Sequence, residues 1–133
     1  METSKVVLLI DTDKNARTLL SFRLQDQGFK VLEAGFLFQI DKAMTENEVD
    51  VIVTDWSVPG FEGEELIRLL QPRRQPVLLF TNHPLEDPSS FMAQTSVKAV
   101  IPKQDRDDWL RTIVQIRRWA FKTGSPFAGS IYG

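Results

Sequence analysis

The 133-residue chain contains no cysteine and a single histidine, His83. Disulfides, thiolate metal sites, cysteine nucleophiles and multi-histidine metal centres are therefore excluded. It has no apolar run approaching the ~18 to 20 residues that a membrane-spanning helix needs. The start, METSKVVLLID, enters a short apolar run with no small-residue cleavage site behind it, so no signal peptide is expected. Charge of one sign is also missing. A net charge of −2 does not predict nucleic-acid binding, and the basic end of the last helix has no base-reading motif. What remains, 42% apolar and 26% charged residues, is the make-up of one ordinary globular domain.

What is present is alternation. KVVLLI (5–10), KVLEA (30–34), VDVIVT (49–54), PVLLF (76–80) and AVI (99–101) are short apolar runs of the kind found in buried strands. Between them lie helix-like stretches. Ala16, Leu19, Leu20 and Leu24 share one helical face, and Gly28 ends that helix. A second helix over 36–46 is expected to turn Phe36, Ile40, Ala43 and Met44 inward. Residues 62–71 form a third, 90–95 a short fourth, and 105–122 the longest, with Leu110, Ile113 and Val114 as its core face. Trp109, Ile116 or Trp119 would then stay partly exposed and contribute to a partner or dimer surface. Five strands alternating with five helices predict a three-layer, doubly wound parallel sheet. Residues 1–123 would form this domain, and the Gly/Ser/Pro-rich 124–133 a flexible tail or the start of a linker.

Ligands of such sheets bind beyond the carboxyl ends of the strands. There the sequence places Asp11-Thr12-Asp13, Asp55, Thr81 and Pro102-Lys103. Oxygen donors alone suit a hard cation such as Mg²⁺. A lysine and a threonine hydroxyl suit phosphoryl oxygens, and Asp55 is a candidate nucleophile for carrying a phosphoryl group. Each residue also has a bland reading: Asp13 can cap the following helix, and a lysine near a loop is usually solvated. Four such residues at the ends of four strands favour a site.

These residues resemble the receiver domains of two-component response regulators across about residues 5–122. The resemblance rests on Asp11 after the first strand, TDWSVPGFEG around Asp55, LLFTN with Thr81, and VIPK with Lys103. It implies a flavodoxin-like (βα)5 fold with strand order 2-1-3-4-5. It also implies that Asp55 accepts a phosphoryl group from a sensor histidine kinase or phosphotransfer protein in a cytoplasmic phosphorelay. Mg²⁺ would be held by Asp11, Asp55 and the Ser57 backbone, with Asp13 or Thr12 completing the set. Lys103 would pair with the phosphoryl group, and Thr81 would swing in to it. The 81–122 face would carry the signal, with a homodimer or effector domain meeting residues 90–122. No contact with nucleic acid or membrane is implied.

The pattern departs at Thr12, where the family commonly has a second acid. Asn82, Val100 and Gln104 are further departures. A pseudo-receiver, folded alike but acting as a phosphorylation-independent interaction module, is the alternative reading. A third is a haloacid-dehalogenase-type phosphatase, with Asp11 as nucleophile, Asp13 as general acid, and Thr81 and Lys103 supporting. His83 is read as a solvated loop residue.

Overall fold

A computed structural model describes residues 4–71, 74–103 and 106–122, with the backbone alone at 106–108 and 122. The expected tail at 124–133, and Gln104, lie outside the described residues. The elements run β1 (Val6–Ile10), α1 (Lys14–Asp26), β2 (Lys30–Ala34), α2 (Leu37–Glu46), β3 (Val51–Thr54), β4 (Ser57–Val58), β5 (Phe61–Glu62), α3 (Glu64–Leu70), β6 (Val77–Thr81), α4 (Pro88–Thr95), β7 (Ala99–Pro102) and α5 (Arg106–Lys122).

The main sheet has the order β2-β1-β3-β6-β7, every pairing parallel. Counting only its strands, this is the expected 2-1-3-4-5. The extra pair, β4 and β5, is a separate two-stranded antiparallel ribbon around Pro59-Gly60. Gly60 has φ of 90°, which a residue with a side chain rarely adopts.

The central strands are buried on both faces, and alternate residues enter two cores. Leu8, Ile10, Ile52 and Leu79 pack with Ile40, Leu66, Ile67 and Leu70 from α2 and α3. Val7, Leu9, Val51, Val53, Leu78 and Phe80 pack on the other side with Leu20, Leu24, Ile116 and Ala120 from α1 and α5. The period of two along each strand thus supplies both outer layers.

Some inward-facing expectations are corrected. In α5 the buried stripe is Thr112, Ile116 and Ala120, spaced by four. Leu110 and Val114 lie roughly 120° and 160° around the helix from Ile116. They are 53% and 64% exposed, so they do not form the core face, and Ile113 is only half-buried. Ile116 is fully buried, while Trp109 and Trp119 are half-buried. Leu19 of α1 is exposed, and so is Phe36, whose extended backbone caps α2 from outside the helix.

Candidate functional site

The same backbone ladder that builds the sheet delivers the site residues. Asp11 N–H donates to Ala34 O at 2.9 Å, one step beyond β1. Asp55 N–H donates to Ile10 O at 2.9 Å, one step beyond β3, and Lys103 N–H to Thr81 O at 3.1 Å. Thr81 itself ends β6, paired with Pro102. Four predicted residues from four strand ends are therefore held at one edge by regular hydrogen bonds rather than by loop conformation.

Their side chains converge. Lys103 Nζ donates to Asp55 Oδ2 at 2.6 Å and also to Asp11 Oδ2. The Thr81 hydroxyl donates to Asp55 Oδ1, which also accepts the Trp56 N–H at 2.6 Å. Asp11 Oδ1 accepts the Asp13 N–H at 2.8 Å. Arg17 braces the same corner, donating to Asp11 O and, at 3.0 Å, to Glu33 Oε1.

This arrangement separates the two carboxylates. Burial acts on Asp55 first and disfavours its charged form, yet hydrogen bonds from Lys103, Thr81 and the Trp56 N–H together hold it below the ordinary 3.8. In Asp11 burial prevails over the bond from Lys103, and its carboxyl rises above 3.8. Burial alone would lower Lys103, but its bonds to both carboxylates raise it above 10.5. Asp55 is thus the more acidic of the two carboxyls.

Of the two candidates for a third ligand, Asp13 finds no support. Its Oδ1 accepts the N–H groups of Asn15 at 3.0 Å and Ala16 at 3.2 Å, capping α1. A carboxylate engaged in capping α1 gives the phosphatase reading no support either. Thr12 is exposed and lines an open cleft of about 550 Å³ with Ser57, Pro59, Gly60, Glu62 and Glu65. Among the described residues no group of three or more His, Cys, Asp or Glu side chains is placed to hold a metal ion. The Asp11 and Asp55 oxygens still fit a hydrated Mg²⁺, which commonly uses only one or two carboxylates.

Two contacts were not legible from the strand-end motifs. The Trp56 indole lies flat on the His83 imidazole, centroids 4.2 Å apart at 4°. His83 is exposed, as a solvated loop residue would be, but it is not free of contacts. Gly63, at φ 58°, passes so close beneath Trp56 that a Cβ would stand 2.6 Å from the ring. The only sequence signals were a tryptophan directly after Asp55 and a glycine opening the next helix.

Residues 7–115 match the family described as the response regulator receiver domain. Among curated relatives, the C4-dicarboxylate transport transcriptional regulatory protein DctD of Pseudomonas aeruginosa is 39% identical over 79 residues. That match covers 58% of this chain but only 17% of the relative's length. The chemotaxis response regulator CheY4 of Vibrio cholerae has a similar fold, with TM-score 0.72 and 22% identity, covering 86% of this chain and 99% of that one. The response regulator TrrA of Thermotoga maritima, solved in complex with Mg²⁺ and BeF, gives TM-score 0.68 at 22% identity, covering 84% and 96%.

Proposed function

This chain belongs to the response regulator receiver domain family, and on that premise we propose that Asp55 is its phosphoacceptor, with Thr81 and Lys103 as the residues that receive the phosphoryl oxygens. Receiver domains are signalling switches and typically bind Mg²⁺. The observation that carries the assignment is the convergence of an ammonium and a hydroxyl on the two oxygens of one ionised carboxylate.

A carboxylate oxygen of Asp55 attacks the phosphorus of a phosphohistidine on a kinase or phosphotransfer partner. The new O–P bond forms as the P–N bond breaks. The imidazole leaves with the electron pair and takes a proton from solvent. Lys103 neutralises charge gathering on the phosphoryl oxygens, and Thr81 offers them a hydroxyl donor. Asp11, Asp55 and the Ser57 backbone would hold Mg²⁺, whose charge offsets that of the transferring group. Arg17 and the Asp13 cap keep the Asp11 corner in place. The outcome is about −1.5 to −2 added charge at one strand end. Beyond its own phosphorylation and dephosphorylation the domain performs no chemistry, and residues 81–122 present the change to an effector or a second copy.

Acetyl phosphate with Mg²⁺, followed by intact mass, tests the assignment. The wild-type chain should gain one phosphoryl group and Asp55→Asn none. Uptake by Asp55→Asn, or none by folded wild type, overturns it.

A further inference from the structure

Four contacts close a ring around the proposed phosphoacceptor. Asp55 Oδ1 accepts the Thr81 hydroxyl, and Thr81 Oγ1 in turn accepts the His83 N–H at 3.0 Å. The His83 imidazole lies on the Trp56 indole, and the Trp56 N–H returns to Asp55 Oδ1. The two segments joined this way follow β3 and β6, which are neighbours in the sheet.

One ring of this circuit also touches a helix. Phe91, in the first turn of α4, leans on Trp56 with centroids 5.4 Å apart at 41°. Its own N–H donates to Asp87 O at 3.1 Å, and the Asp87 carboxylate caps the helix through Ser90. Thr95 is the single fully buried residue of α4 among its eight. A helix so lightly anchored shifts at small cost.

Trp56, in contrast, is fixed. Gly63 leaves no space beneath its ring, and the Gly63 N–H holds the Trp56 carbonyl at 2.8 Å. Of the two stacked rings, the exposed imidazole is the one able to move.

We propose that the His83–Trp56 stack is a positioning element that carries phosphorylation of Asp55 to helix α4. The inference rests on Asp55 being the phosphoacceptor. When Thr81 transfers its hydroxyl from the carboxylate to a phosphoryl oxygen, the acceptor of the His83 N–H moves with it. Flat rings resist separation but slide in their own plane, so His83 travels across the indole instead of leaving it. The 82–87 segment follows, and α4 re-seats where Phe91 leans on the same indole. His83 touches neither Asp55 nor the incoming phosphorus; it acts through Thr81.

The test pairs His83→Ala, which removes the stack, with His83→Phe, which keeps a flat ring and loses the nitrogens. Each ¹⁵N-labelled chain is treated with acetyl phosphate and Mg²⁺. Intact mass reports phosphorylation, and amide shifts of residues 89–95 report α4. Wild type and His83→Phe should show the α4 shifts in full. His83→Ala should gain the same mass with shifts smaller by about threefold or more, the population change that losing one ring contact permits.

Unchanged α4 shifts in phosphorylated His83→Ala overturn the proposal. So do shifts in His83→Phe as small as those in His83→Ala, and so does a folded His83→Ala that takes up no phosphoryl group, which would place His83 in the transfer itself. Wild type that gains no mass removes the functional reading and this inference together. The mass readout tells that failure from the others.

Discussion

Lys103 Nζ stands 2.6 Å from Asp55 Oδ2 and bonds Asp11 Oδ2 from the same position, so one ammonium closes the gap between the ends of two adjacent strands. The lysine and Asp11 side chains are 8% and 9% exposed, which keeps solvent from screening the pair. Removing the cation leaves two carboxylates facing each other with little water between them. Lys103→Met should therefore lower stability at pH 7 by about 3 kcal/mol. Urea unfolding measures this, and a loss below about 1 kcal/mol would show that the bridge is effectively solvated.

The two acids should titrate on opposite sides of 3.8. Asp55, depressed in the folded state, contributes stability above its unfolded value, and this is lost as pH falls through the lower folded value. Asp11 has the opposite sign: its contribution is full below 3.8 and fades as pH rises through its raised folded value. Lys103, raised above 10.5, contributes up to that pH and loses its contribution as pH climbs through the folded value. Carboxyl ¹³C shifts followed against pH will separate the acids. A shared midpoint, or the reverse order, contradicts the geometry.

Thr12 presents a neutral hydroxyl where a carboxylate would face the cleft shared with Ser57. Thr12→Asp should tighten Mg²⁺ binding by about tenfold. That corresponds to ~1.4 kcal/mol, well under the ~4 kcal/mol of an unscreened contact pair because the position is exposed. Amide shifts of residues 55–57 titrated with Mg²⁺ give the affinity. Equal affinities would mean that position 12 takes no part in the metal site.

Ile116 and Val114, two residues apart on α5, sit on opposite sides of the helix. Ile116→Ala should cost about 2 to 5 kcal/mol through the cavity it leaves. Val114→Ala should stay within about 0.5 kcal/mol. Comparable losses would mean that α5 is rotated about its axis.

The strands were easy to read because they are short and apolar, the central ones buried on both faces, and each of the five predicted runs overlaps a strand of the main sheet. The α5 face was not. That helix carries large apolar groups around most of its circumference, so periodicity alone could not separate Ile116 from Val114. The β4–β5 ribbon escaped because two-residue strands show no alternation. At the site, convergence of Asp11, Asp55, Thr81 and Lys103 followed from topology, which sends every parallel strand end to one edge. The Trp56–His83 stack joins residues 27 positions apart through loops, and no local pattern encodes it. The competing roles of Asp13 were visible as alternatives, and only the cap geometry separated them.

Among the described residues β7 lies at the margin of the sheet, paired with β6 alone. Lys103 is its next residue, tethered by one backbone bond to Thr81. Fraying of that outermost strand would withdraw the ammonium while the central strands stayed intact. The charge balance around Asp55, at the ends of the central strands, is thereby tied to the integrity of the outermost strand.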